Sequence, residues 1–306
     1  MRVSIITLAL DTPFYIDEAI VSVSHPKGAD IQHIIVHDGS EADFADLASR
    51  YPTLQLIRGP GRGATAAANA GLAHATGDFI FFLNSDDRLT PNAIAALVEA
   101  AARAPLVEIW TGKTRLFTTA TDGTEITLRT VADRTATVLT LNNVLDDFPL
   151  LTARFVRREV YEQFVGLDER FHTCSDREFM TRLALVGVSE APLDEWVSEL
   201  RFHEGSSTIR RPQSDVPAYL PQHVELARRW LADATLSPEQ RAIFKDWHAR
   251  ELMRLAFYNG KAGRWGEVIR VLLSGFGVDP FWFWRAQTII GARHLRRRDD
   301  DRTGSL

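Results

Sequence analysis

Residues 79–87 read Phe79-Ile-Phe-Phe-Leu-Asn84-Ser-Asp86-Asp87, an unbroken apolar run that ends abruptly in two adjacent carboxylates. A short apolar run of this kind suits a β-strand buried on both faces. Carboxylates so close repel each other unless something positive lies beside them. A divalent cation satisfies both, and oxygen ligands suit Mg²⁺ or Mn²⁺. The same two acids also read as the start of a loop that favours the N-terminus of the helix after Thr90. Both readings stand until the neighbouring segments are placed.

Working outward, the stretch belongs to a repeating strand–helix pattern. Val3 to Ala9 is apolar and leads into a helix from Pro13 to Ser24, with Asp11, Thr12 and Pro13 as cap and first turn. The pattern recurs as Ile31 to Asp38 with Glu41 to Arg50, and as Leu54 to Arg58 with Ala64 to Ala75. It recurs again as Phe79 to Leu83 with Pro91 to Ala102, capped by Thr90. Four strands interleaved with helices predict a mostly parallel sheet covered on both faces, which binds ligands at the carboxyl ends of its strands. Asp38 and Gly39 end the second strand, and Gly59-Pro-Gly61-Arg62-Gly63 follows the third, so these groups and Asp86 converge on one cleft. A glycine-rich loop with an arginine before a helix suits phosphate, because backbone N–H groups and the helix dipole face the anion; an ordinary left-handed turn also accounts for it. The first strand–helix junction holds no glycine, which disfavours a dinucleotide-binding dehydrogenase.

The rest of the chain changes character. Val107 to Phe117 and Glu125 to Val131 flank Asp122-Gly123 and predict an antiparallel hairpin inserted in the α/β domain. A helix is expected from Asp176 to Val186 and a strand from Glu195 to His203, followed by a linker from Ser207 to Pro217. Beyond it the pattern is helical: Tyr219 to Ala232, then a capping box at Ser237-Pro238-Glu239-Gln240 opening a helix to about Tyr258, then Trp265 to Leu273 and Pro280 to Arg298. The expected domains are 1–210 and a helical extension, 217–298.

Composition sets the limits. The 306 residues are 45% hydrophobic and 25% charged, which excludes disorder and coiled coil as the dominant state. A net charge of −5 argues against a surface given over to nucleic acid. Lone Cys174 makes no internal disulfide, and the N-terminus lacks a signal-peptide pattern, so a cytoplasmic setting is expected. No apolar run approaches the roughly 20 residues that span a bilayer. Cys174 reads as a packed side chain, and His25, His33, His37, His74 and His172 carry no motif. Arg157-Arg158 and Arg210-Arg211 read as solvated charge or as contacts to an anionic ligand.

The order of motifs resembles the family 2 glycosyltransferases, which have a GT-A fold. The resemblance rests on Val-Ser-Ile-Ile-Thr in the first strand, Asp38-Gly-Ser, Asn69-Ala-Gly-Leu-Ala-His-Ala-Thr-Gly-Asp78 and Phe-Leu-Asn-Ser-Asp-Asp. It extends to Gly166-Leu-Asp168-Glu169, to Asp176 in Asp-Arg-Glu-Phe-Met-Thr-Arg-Leu, and to Arg201-Phe-His203-Glu-Gly-Ser-Ser207. It covers about residues 1 to 210. The resemblance implies that Thr7, Ala9 and Asp38 line the nucleotide base and ribose, and that Arg62 and Asn69 also face the donor. It places Asn84-Ser85-Asp86 at the family's DXD motif, and assigns a divalent metal to Asp86, Asp87 and His203. Asp176 is then the general base of an inverting transfer from a nucleotide-diphosphate sugar, UDP-linked, to a glycan or lipid-linked acceptor of the bacterial polysaccharide type.

Two departures count. Asn84 replaces the first acid of a DXD, and Ala66 and Ala68 stand where relatives carry polar residues. From the residues alone, Asp176 sits in a capping box of Ser175 and Glu178, where an aspartate stabilises the first turn without any catalytic role. The alternatives carried forward are a noncatalytic nucleotide-sugar-binding scaffold and a sugar-phosphate nucleotidyltransferase. The segment 279–298, aromatic at its start and cationic at its end, reads as a peripheral membrane contact, a homodimer contact or a cover for its own domain.

Overall fold

The computed structural model describes residues 1–9, 15–23, 28–132, 138–146, 151–203 and 216–287. The chain divides into two compact units, Met1–Ile209 and Arg210–Leu306. In the first, nine strands among the described residues form one sheet in the order β3-β2-β1-β4-β8-β6-β9-β5, with β7 on β6. Here β1 is Arg2–Ala9, β2 Asp30–His37, β3 Gln55–Arg58, β4 Phe79–Asn84, β5 Arg88–Leu89, β6 Ile109–Thr119, β7 Glu125–Val131, β8 Arg154–Arg157 and β9 Glu190–Arg201. The helices are α1 Ile16–Val23, α2 Glu41–Arg50, α3 Ala64–His74, α4 Ala93–Arg103, α5 Leu141–Asp146, α6 Arg158–Gln163 and α7 Ser175–Val186.

The first four strands are parallel as expected, with β1 between β2 and β4. Strand order therefore reverses across β1, which opens a crevice at the carboxyl ends of β1, β2 and β4. One face of the sheet packs Val3, Ile5, Phe79, Phe81 and Phe155 against Ile94 and Leu97 of α4. Ala66 and Ala68 are buried on α3, where small side chains let that helix lie close to the strands. These alanines are packing residues.

The sheet is parallel from β3 through β4 and again between β6 and β9, and the expected antiparallel part enters with β8 between β4 and β6 and with β5 and β7. Two expectations need correction. The hairpin over Asp122-Gly123 forms, but β6 is an internal strand that pairs β7, β8 and β9, and its first four residues, Ile109 to Gly112, are all buried. Neither Thr90 nor Ser175 acts as an N-cap: α4 starts from Asn92, with the Thr90 hydroxyl donating to the Trp196 carbonyl, and α7 starts from Cys174 without a side-chain cap. Glu178 instead pairs with Arg182 one turn on, at 2.8 Å, so the expected capping box does not form. Asp11 to Pro13, His25 and Arg210-Arg211 lie outside the described residues, as do the linker up to Asp215 and the tail beyond Gln287.

The second unit consists of α8 Tyr219–Leu231, α9 Pro238–Lys261, α10 Trp265–Phe276 and a helical stretch at 282–287. The capping box at Ser237 and Gln240 forms in full. The core gathers Leu220, Val224, Leu252, Val271 and Trp282. Gly275 lets Trp282 lie flat against α10, since a Cβ there would sit 2.4 Å from the indole. Buried Glu251 accepts from Arg250 and Arg254 at 3.1 and 2.9 Å and meets His223 at 3.1 Å, which holds its carboxyl down at about 2. No described helix is long and apolar enough to cross a membrane.

Candidate active site

The site is assembled where strands end. The Asp38 N–H donates to the carbonyl of Ala9 at 2.9 Å, which fixes the exit of β2 beside that of β1. The Asp38 carboxylate accepts from the Gly61 N–H at 3.0 Å, and it comes so close to the next loop that a Cβ on Gly59 would stand 2.0 Å from its Oδ1. The loop Gly59 to Gly63 therefore wraps the acid of the neighbouring strand. On the other side of β1, Leu8 pairs with Asn84, the last residue of β4. Asp38 and Asn84 thus flank the end of β1, each on a strand about 5 Å from it.

After Asn84 the chain turns through half-buried Ser85 and Asp86 into the two-residue strand β5, which pairs antiparallel with β9, Arg88 opposite Glu199. That register delivers the end of β9 to the acidic turn. The Asp86 Oδ2 stands 3.0 Å from the Nε2 of His203, whose ring also lies 5.3 Å from that of Tyr15. An imidazole nitrogen and a carboxylate oxygen this close, both partly open, fit Mn²⁺ or Mg²⁺, with water and phosphate oxygens completing the shell. Among the described residues no group of three or more His, Cys, Asp or Glu is placed to do so. Among the described residues, Asp86 and His203 are the two that would contribute to such a shell.

Asp87, grouped above with Asp86, occupies a different environment. It is 3% exposed, its Oδ1 accepts from the Arg201 N–H at 2.8 Å, and its Oδ2 accepts from Asn84 Nδ2 at 2.7 Å. Burial and the charge of Asp86 push its carboxyl up to about 7. It anchors the turn from beneath rather than facing the cleft, and Asn84 is spent on the same anchor. Sequence reading missed the organiser, Arg201. Its side chain reaches Glu18, Thr119 Oγ1 at 3.0 Å and the Asp86 carbonyl at 3.3 Å, and stacks 4.1 Å from the Tyr15 ring centre. Its place two residues before His203 was the available signal.

A second cluster lies at the start of α3. Asn69 is fully used: its Nδ2 donates to the Leu167 carbonyl and its Oδ1 accepts from the Leu167 N–H, both at 2.9 Å. It holds the segment ahead of α7 rather than presenting an amide to a ligand. Arg62 pairs with Glu169 at 3.0 Å and is largely exposed, and Thr65 donates to Ser175 at 3.1 Å, next to Asp176. Burial raises the Asp176 carboxyl, opposed by the charge of Arg177, by the Arg177 N–H at 2.7 Å and by the charge of Arg154. Buried Arg154 pairs with Glu190 at 3.4 Å, two further residues with no sequence signal.

Thr7 and Ala9 do not line a pocket with their side chains. Thr7 is 0% exposed and bonds His33 Nε2 at 2.9 Å inside the sheet, and Ala9 is buried against Ile16 and Ile35. Arg157 donates to the carbonyls of Val107 and Pro105, so it ties down a loop, and Arg158 pairs with Glu162 on the surface, in keeping with solvated charge. Burial pushes the Cys174 thiol up to about 12, which rules out a thiolate nucleophile.

A parallel β-α half carrying an acidic turn at its switch point, joined to an antiparallel half that returns a histidine to that turn, defines a GT-A-type α/β enzyme. The same architecture is found in TarS of S. aureus, solved as residues 1–349 with UDP-GlcNAc, at a TM-score of 0.67 and 16% identity over 92% of this chain and 83% of that one. The mannosyltransferase PcManGT of Pyrobaculum calidifontis, solved with GDP-Man and Mn²⁺, matches at 0.53 and 16% identity over 98% and 87%. An uncharacterised glycosyltransferase of Mycobacterium tuberculosis is 30% identical over 190 residues, 60% of this chain and 69% of that protein. The model of the glycosyl transferase family 2 matches residues 4–149. The chain belongs to that family and is a glycosyltransferase.

Proposed function

We propose that this enzyme is an inverting, metal-dependent transferase that moves a sugar from a nucleotide diphosphate, UDP-linked, to a hydroxyl of a glycan or lipid-linked acceptor. The observation that carries the reading is the Asp86–His203 pair at the switch point of the sheet. In it, Asp38 with the Gly59–Gly63 loop receives the nucleoside, and Asp86 and His203 hold Mn²⁺ or Mg²⁺. Once bound, such an ion supplies positive charge against the diphosphate. Arg201, Asp87 and Asn84 keep the two ligands in register.

Asp176 performs the proton transfer. Its half-buried carboxylate is more basic than an exposed one, so it takes the acceptor hydroxyl's proton as that oxygen attacks the anomeric carbon and the bond to the diphosphate breaks. A single displacement inverts the configuration. The bacterial polysaccharide setting, the cytoplasmic location and a membrane-proximal acceptor belong to the same proposal.

Calorimetric titration of UDP, GDP, dTDP and CDP, with and without Mn²⁺, tests it. Metal-dependent binding of UDP that Asp86→Ala abolishes is the expected result. Metal-independent binding, unchanged in Asp86→Ala, overturns the metal assignment, and preference for another base overturns UDP.

A further inference from the structure

Helix α10 carries one broad apolar arc, only part of which is covered by its own unit. Val268, Val271, Leu272 and Gly275 turn into the core of the C-terminal unit. Beside them on the helix surface Trp265, Ile269, Leu273 and Phe276 are 67%, 60%, 64% and 53% exposed. With 3.6 residues per turn these four share an arc of roughly 80° running the length of the helix. Glu267, Arg270 and Ser274 make the polar side, so the apolar arc is wider than the core contact needs and its open part suits a partner surface. Phe257, Phe281 and Phe283 add exposed aromatic surface in the same unit.

Charge says what kind of partner. The whole chain has a net charge of −5, yet from Phe257 to Leu306 nine Lys and Arg residues stand against five acidic ones. Of these, Lys261 and Arg264 lie exposed just before α10, and Arg270 along it pairs with Glu267. A second copy docking the same stripe across a two-fold axis would bring these cations together. An apolar stripe with Trp and Phe at its ends and cations alongside is instead complementary to an anionic bilayer surface. We propose that the exposed face of α10 is a docking surface for anionic lipid, inserted side-on at the headgroup boundary. This goes beyond the transfer reaction and does not depend on the donor or metal assignments.

Flotation of the full-length protein with phosphatidylglycerol/phosphatidylcholine vesicles, and with phosphatidylcholine alone, tests the proposal. The wild type is expected to float with the anionic vesicles and to lose binding as salt is raised. Ile269→Ser with Leu273→Ser is expected to lower the bound fraction at least about ten-fold, since binding scales with the apolar area inserted, with unchanged circular dichroism and nucleotide binding. Trp265→Ser alone provides a milder check should the pair disturb folding. No flotation with anionic vesicles, or equal flotation of the variants, overturns the proposal. So does a wild-type dimer in light scattering that fails to bind vesicles and that the double variant dissociates, which would give the stripe to a second copy.

Discussion

The two units use buried charge in opposite ways. In Met1–Ile209 the buried charges sit at strand ends and hold loops: Arg201 fastens the acidic turn to α1 and β6, and Arg154 lies under the start of α7 near Asp176. In Arg210–Leu306 the buried charge is a closed knot, Glu251 among His223, Arg250 and Arg254, and what remains open is the apolar face of α10. Polar groups that meet in a cleft are organised for chemistry. A satisfied knot beneath an unsatisfied apolar face is organised for adhesion.

The sharpest way to break that contrast is Asp176→Asn. If the first unit's polar cluster serves chemistry, removing the base lowers kcat by at least about 10³-fold, as for general bases whose loss also misplaces the acceptor, while donor affinity by calorimetry stays within about two-fold of wild type. A drop in donor affinity with little change in kcat would move Asp176 from proton transfer to binding.

Next in size is Arg201→Met. Removing its buried guanidinium leaves the Asp86 carbonyl and the Thr119 hydroxyl without that donor, while half-exposed Glu18 keeps Arg88 at 3.6 Å, and costs about 1–3 kcal/mol, read by urea unfolding. In variants that still fold, Mn²⁺-dependent nucleotide binding falls together with stability, because Asp86 and His203 lose their shared support. Arg254→Met, at the partly exposed edge of the knot, should cost less and leave nucleotide binding alone.

Acid separates the units more gently. Burial drives the pKa of His33 down to about 4 in the first unit and that of His248 to about 4 in the second, from an ordinary 6.5. Above pH 6.5 both the folded and the unfolded chain hold these rings neutral; below it the unfolded chain takes up the proton and the folded chain does not. Each ring therefore removes stability from about pH 6.5 to 4, His33 about 3 kcal/mol over the full interval, but in the first unit Asp87, its carboxyl raised to about 7, adds a comparable amount as it takes up its proton over the same range and offsets that loss. Glu251 has a lowered folded pKa, so its contribution is complete above about 4.5 and is lost as pH falls toward 2. Calorimetric scans from about pH 7.5 to 3 should show the C-terminal transition falling throughout, first through His248 and then through Glu251, while the first transition stays nearly level down to about pH 4. In His33→Gln the first transition rises toward acid, because the Asp87 gain is no longer offset.

The alternation of strands and helices makes β1 to β4 legible, since each is an apolar run closed by Gly, Asp or Asn. The cleft at their carboxyl ends follows from that order, and Asp38, Asp86 and His203 follow from it together with the family resemblance. The burial of Thr7 is also present in the pattern: it shares strand parity with Val3 and Ile5, so its side chain faces the sheet interior with theirs rather than a ligand. Asn69 and Arg201 are of another kind. Asn69 is bonded 98 residues away, and Arg201 acts through a two-residue strand, β5, that no periodicity reveals. Local pattern identifies which residues come to the cleft; long-range pairing decides which of them are already spent on holding it together.

The smallest effect tests the other side of the contrast. Leu252 and Leu273 are both leucines of the C-terminal helices, the first 1% and the second 64% exposed. Leu252→Ala removes packed methylenes and leaves a cavity, at about 2–5 kcal/mol. Leu273→Ser removes only water-facing surface and should change stability by no more than about 0.5 kcal/mol, with the sign open to stabilisation because an exposed leucine is relieved. A surface change with no effect on folding that still removes vesicle binding would separate what α10 does for the fold from what its outer face does beyond it. If Leu273→Ser instead costs as much as Leu252→Ala, another segment of the chain covers that face, and the adhesive reading of the second unit fails.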